Sequence, residues 1–251
     1  MMRTIKIQNK DGFPIDSVEA WHRLAPPKKA DRHRKAGRSA MEEARAWCQQ
    51  LKVPEELSSL FASCPQTQDL IVETVIPEKV TRIDGFSGEQ RNHDLMIEGM
   101  VGDKKAVVCI EAKADESFGK IAGPYADSAR QANVRSKVPD RLELICHKLF
   151  GSLSPEAREI RYQLLTGAAG TLAEAIEQNA DLAIFVVHEF IGVTDPDKVK
   201  VNSDDLNRFV QLLTQGEIPS IAKGEMIGPV TLPQSAERMP QFFIGKCRRC
   251  L

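Results

Sequence analysis

The chain lacks an excess of either charge. Lys and Arg number 34, Asp and Glu 35, for a formal net charge of −1. A strongly basic chain would point to nucleic acid as a whole-surface partner; here any such binding must come from a local patch. Long apolar runs are also missing. The longest, Leu182 to Val187, falls far short of the ~20 residues that cross a bilayer as a helix. The start, Met1-Met2-Arg3-Thr4-Ile5-Lys6, has no apolar core of a signal peptide. Six cysteines in 251 residues are too sparse for a disulfide framework and read as reduced thiols of a cytoplasmic protein. There is no internal repeat, no glycine-rich phosphate loop and no nucleophile elbow.

What remains is an ordinary globular composition, 42% hydrophobic and 27% charged, which argues against long disorder. It suits a single α/β domain over residues 1–251. Residues 22–38 are the most uneven in charge, with Lys28, Lys29, Arg32 and Arg34 among seven basic residues facing one acid, Asp31. Such runs usually just face water; the functional alternative is an arm that contacts phosphates.

Ser39 reads as the N-cap of a helix, with Glu42 as its capping-box partner. Ala40, Ala44, Trp47 and Leu51 recur at helical spacing along the core-facing side. Glu42 then points away from that stripe, and Glu43 lies at its edge, where an acid can reach a site on the sheet below. The helix is expected to continue, interrupted at Pro54, to about Ala62. Three strands follow, over 70–76, 94–101 and 106–113, the last two joined by Gly102-Asp103-Lys104-Lys105. Residues 117–153 read as a polar, partly helical insertion. Ser154 and Pro155 open a long helix running through Ile160, Leu164, Ala168, Leu172 and Ile176, in which Gly167 and Gly170 mark close packing. Leu182 to Val187 reads as a buried central strand. Residues 203–214 form another helix, and two short strands lie in 225–247. The order is that of an α/β plan with a mixed sheet.

The second and third strands carry the chemistry. With an even-numbered turn, facing positions sum to an odd number such as 207. Leu95 then faces Ala112, Ile97 faces Ile110, and these four share one buried face. The other face collects Asp94, Glu111 and Lys113, with Asp94 opposite Lys113 and diagonal to Glu111. Two carboxylates suit Mg²⁺, which takes hard oxygen donors and keeps several waters. An amine beside them can steady the transition state of phosphodiester cleavage.

Asp94, followed after a gap by Glu111-Ala112-Lys113 behind the apolar strand Val107-Val108-Cys109-Ile110, resembles the PD-(D/E)XK, or restriction-endonuclease-like, nuclease superfamily. Its core runs helix, three strands, helix, strand, and the likeness covers about residues 39–190. Residues 117–153 would be an insertion and 200–251 a C-terminal extension. The resemblance implies a metal-dependent DNA endonuclease, with Asp94 and Glu111 holding Mg²⁺ or Mn²⁺ and Lys113 as catalytic lysine. Glu43 would match the extra helical acid of many members. Gln163 would match their polar position after the lysine, although the helical wheel turns it from the apolar stripe. His93 stands where the family often has proline. A nuclease-like domain without catalysis, acting as a nucleic-acid- or protein-binding module, is the alternative, and a homodimer is left open.

Asp115 and Glu116 extend the acidic strand end as competing ligands. Cys247 and Cys250 have zinc-ligand spacing, and Cys146-His147 would have to complete the four donors; the two tail thiols read as incidental. His188, followed by Glu189, ends the buried strand as a satisfied histidine. Trp21 and Trp47 read as core.

If the basic segment contacts phosphates, replacing Lys28, Lys29, Arg32 and Arg34 with Ala weakens DNA binding. The slope of log K against log salt then shrinks by roughly 0.9 for each duplex phosphate no longer neutralised. An unchanged slope leaves the segment a solvated loop.

Overall fold

The computed structural model describes residues 5–27, 35–49, 51–114, 116–192, 196–233 and 239–251. Lys28, Lys29, Arg32, Arg34 and Asp115 lie outside them. The chain runs through β1 (Lys6–Ile7), α1 (Val18–Leu24), α2 (Ser39–Cys48), α3 (Glu55–Ala62), β2 (Ile71–Thr81), β3 (Arg91–Val101) and β4 (Lys104–Lys113). It continues through α4 (Ala122–Ala132), α5 (Val138–Phe150), α6 (Pro155–Arg158), α7 (Tyr162–Glu177), β5 (Leu182–Ile191), α8 (Pro196–Leu213), β6 (Glu225–Val230) and β7 (Gln241–Cys250). Among the described residues, no helix is long and apolar enough to cross a membrane.

All the strands join one seven-stranded mixed sheet, ordered β1-β2-β3-β4-β5-β7-β6. Strands β2, β3 and β4 form an antiparallel meander; β4, β5 and β7 run parallel. Helices cover both faces, so β5 is buried on both sides, which explains its unbroken apolar run. Ala183, Phe185 and Val187 point with Met96, Val107 and Cys109 into a core shared with α4 to α8. Ile184 and Val186 point with Leu95, Ile97, Ile110 and Ala112 into a second core under α1, α2 and α3, which holds Trp21 and Trp47.

Several local expectations are corrected by tertiary contacts. Arg38, in extended conformation, caps α2 without a side-chain bond, because the Ser39 hydroxyl donates to Glu116 instead. Glu42 is buried and accepts from the Gly37 N–H at 2.8 Å. The stretch to Ala62 is two helices, since Leu51 (φ +48) turns the chain and Pro54 starts α3 afresh. Leu51 is 44% exposed and leaves the stripe. Strand β2 runs past Pro77; a residue with no N–H to give is tolerated there because β1 covers that edge only at Thr74 and Val75. The insertion holds two helices, α4 and α5.

Ser154 does cap a helix, accepting from the Ala157 N–H at 3.2 Å, but that helix is only α6. The backbone then leaves the helical path: Ile160 C=O accepts from Ala122 N–H at 2.9 Å, and Tyr162 N–H donates to Lys120 C=O at 2.9 Å. This bridge breaks the expected long helix, and Ile176, placed on its apolar stripe, is 49% exposed. In α7 the glycines lie against the sheet. A Cβ at Gly167 would come within 2.6 Å of the Phe185 ring.

Gly167→Ala should therefore destabilise the protein, despite the better helix propensity of alanine. Overpacking of about 1–3 kcal/mol opposes a gain of about 1 kcal/mol at most. A lower urea midpoint at unchanged m-value is the expected result; a raised midpoint would show that Phe185 yields freely.

Candidate active site

The β3–β4 hairpin sets the site. The turn is two residues, Gly102 and Asp103, rather than four, and Val101 pairs with Lys104. Gly102 has φ +61, the left-handed conformation that such tight turns need and that glycine adopts freely. The register that follows pairs Leu95 with Ile110 and Ile97 with Val108, a shift of two residues from the expected pairing. Because strand side chains alternate with period two, such a shift preserves the faces. Asp94, Glu111 and Lys113 therefore still share one face, but Asp94 comes opposite Glu111 rather than Lys113.

Around Glu111 the charges close on one another. One carboxylate oxygen accepts from Arg91 Nη2 and the other from Lys113 Nζ. Glu111 and Lys113 are 2% and 4% exposed, so these pairs form largely out of water. Burial alone would raise the Glu111 carboxyl; the Arg91 and Lys113 cations hold it below the usual range. Lys113 stays charged against burial because Glu111 and Asp94 surround it. Asp94, half-buried, accepts from the Ala112 N–H at 2.8 Å. Its carboxyl is pushed well above the usual carboxylate range by burial and by the neighbouring Glu111 charge. Two carboxyl groups and two cations thus meet at this point of the sheet.

Arg91 belongs to this set and was missed, because the strand was expected to begin at Asp94. Glu78 was missed too. Pro77 pairs with Leu95 and Lys79 with His93, so Glu78 comes opposite Asp94 and extends the row of carboxylates onto β2. It sits at φ +51, a conformation uncommon outside glycine, accepts from Asn92 Nδ2, and its charge helps raise Asp94. A strand expected to stop before Pro77 could not include it.

These side chains form the wall of a cleft of about 930 Å³. Asp94, Glu111, Lys113, Glu78, Glu116 and Gln163 all border it. Gln163 lies at the start of α7, turned from the apolar stripe as the helical wheel indicated, and that orientation brings it to the cleft. Among the described residues no group of three or more His, Cys, Asp or Glu is placed to hold a metal. The protein's share of a metal shell here would be Asp94 and Glu111.

Glu43 is placed elsewhere. Its helix packs on the opposite face of the sheet, where its carboxylate accepts from Trp47 Nε1 at 2.8 Å and meets His188 Nδ1 at 2.9 Å. His188 Nε2 meets Glu56 at 2.9 Å, and Arg249 donates to the same carboxylate at 2.8 Å. Burial would lower the His188 pKa, yet the two carboxylates push it up to about 9. The expectation put Glu43 at the edge of the apolar stripe; the sheet face its helix covers was not legible. Glu189 lies on the site's face, paired in register with Lys113, but is held by Arg248 at 2.7 Å and Lys246 at 3.5 Å. Cys247 is buried and Cys250 exposed, because β7 is covered on both faces up to Cys247 and emerges toward its end.

Fold and site together define an α/β protein whose mixed sheet presents a cluster of carboxyl groups and cations to a cleft. The chain belongs to the DUF6946 family, a domain of unknown function, whose model matches residues 14–249. No curated protein and no solved structure matches it.

The His188 network has a readable pH signature. The ring's folded pKa, about 9, lies above the ordinary histidine value of about 6.5. Its contribution to stability is complete below pH 6.5, declines as pH rises, and is gone above about pH 9. Urea midpoints should fall across that window for the native protein, and the slope should flatten in His188→Gln. Parallel pH profiles for the two proteins would refute the doubly bonded imidazolium.

Proposed function

We propose that the protein is a metal-dependent phosphodiester hydrolase acting on DNA. The observation that carries this reading is the hairpin register, which sets Asp94 opposite Glu111 and Lys113 on the same face at a cleft. The order α2–α3, β2, β3, β4, α7, β5 supports a restriction-endonuclease-like core, and Gln163 at the cleft supports the role the resemblance gives it.

Mg²⁺ or Mn²⁺ fits the donor set, since these ions need only one or two protein carboxylates and fill the remainder with water. Asp94 and Glu111 would hold the ion, and relief of the like charge that now raises the Asp94 carboxyl favours its entry. Bound there, it would lower the pKa of a water and neutralise charge building on the phosphate. Lys113, kept charged in a largely water-free position, presents a fixed cation to the same oxygens, where such charges act most strongly. Arg91 anchors Glu111 from the other side. Gln163 offers a donor and an acceptor for positioning water or substrate. Glu43, engaged by His188 and Trp47, has no part in this site.

One observation favours a second reading, a binding module without catalysis. Both Glu111 oxygens already accept from cations without a metal.

The test is cleavage of plasmid and single-stranded DNA in Mg²⁺ or Mn²⁺, with calorimetry for metal affinity. Asp94→Asn should abolish metal binding and cleavage together. Lys113→Ala should leave the metal bound while slowing cleavage about 10²–10³-fold. Glu111→Gln is the less clean variant, because it strands two buried cations and can cost about 3–5 kcal/mol of stability. Wild-type protein that binds no divalent metal and cuts nothing leaves the binding module as the reading.

A further inference from the structure

The cleft has a second feature beyond its acidic wall. The chain contains two tyrosines, and both, Tyr125 from α4 and Tyr162 from the start of α7, border this cleft. Their centroids are 5.0 Å apart at an interplanar angle of 72°. Edge-to-face contact does not consume the pair's flat surfaces as a stacked pair would. Lys120 Nζ lies 4.9 Å from the centroid of Tyr125, and exposed Arg135 lines the same cleft.

We propose that the cleft takes a single nucleic-acid strand, with an unstacked base laid on the Tyr125–Tyr162 pair while its phosphate reaches the acid–base set. The inference deepens the hydrolase reading and rests on it for the fate of the phosphate.

Aromatic faces beside cations are what single strands use, because every base has a π-face and every linkage a charge. Size argues the same way. A volume of about 930 Å³ falls among pockets that enclose a drug-sized ligand, ~300–1,000 Å³, and far below the bulk of a duplex. The cleft wall is also tied in place. Arg141 on α5 bonds Asp84 at 2.5 Å and the Glu89 carbonyl at 2.7 Å, fixing the helical insertion to the loop between β2 and β3. Burial pushes the Tyr162 hydroxyl up to about 12, against the opposing pull of the Arg141 cation, and both residues line the cleft. Glu111 and Lys113, more than nine-tenths buried at the wall, suit a thin, flexible strand better than a rigid double helix.

The experiment uses the full chain, an end-labelled single-stranded DNA oligonucleotide and its duplex, with binding followed by fluorescence anisotropy without divalent ions. Wild type should prefer the single strand. Tyr125→Leu, which keeps apolar bulk without the π-face, should weaken single-strand binding roughly 5- to 100-fold and leave duplex binding unchanged. Tyr125→Phe should retain wild-type affinity, and a fluorescent base analogue in the strand should respond to wild type but not to Tyr125→Leu. Cleavage of both substrates in Mg²⁺ separates the two claims. Tyrosine-dependent single-strand binding without cleavage sustains the inference and removes the hydrolase. Duplex bound and cut as well as single strand, with Tyr125→Leu unaltered, overturns the inference and keeps the hydrolase. Failure to bind either form overturns it as well.

Discussion

Register in one hairpin sets Asp94, Glu111 and Lys113 on the face that borders the cleft. Period-two alternation means that a one-residue slip between β3 and β4 would turn one strand over relative to the other, parting Asp94 from Glu111 and Lys113 and bringing apolar side chains out toward the cleft. Burial on both faces makes that slip very costly, because the strand that turned over would exchange its two sets of side chains between them. The tight Gly102-Asp103 turn removes the freedom to slip from the other end. Chemistry at the wall is in this sense a consequence of hydrophobic pairing several residues away.

The sheet carries a buried charge network on each face, and they are built differently. On the cleft side Glu111 lies between Arg91 and Lys113; on the other, His188 lies between Glu43 and Glu56, with Arg249 behind. Buried ion pairs add little net stability when complete but cost several kcal/mol when one partner is removed. The second network has no opening to the cleft and fastens α2 and α3 to β5 and β7. The first borders the cleft.

How far the sequence was legible follows from whether a signal was local. The faces of β3 and β4 were readable because alternating apolar residues encode them, and a two-residue error in register left parity intact. Glu78 and Arg91 were not, because each lies beyond the point where apolar alternation fades and pairing with a neighbour alone extends the strand. The break between α6 and α7 was hidden for the same reason: Ile160 and Tyr162 exchange backbone bonds with residues about forty positions earlier. Glu43 shows the limit most clearly. A helical wheel gives the angle of a side chain about its own axis and says nothing about which face of a sheet the helix will cover.

Gly170 connects these arguments. A Cβ there would come within 2.8 Å of both Arg91 and His93, so the absence of a side chain is what lets α7 settle onto β3 above them. Burial and the Arg91 charge hold His93 neutral, its pKa well below the ordinary value. A neutral ring can accept, and Arg91 Nε lies 3.5 Å from its Nδ1. The guanidinium is thereby directed from behind by an uncharged partner, and its terminal nitrogen is left for Glu111. A protonated His93 would have faced Arg91 as a like charge and forced it from the carboxylate. His93 thus contributes to the site through its neutrality, and a glycine on a helix makes room for it.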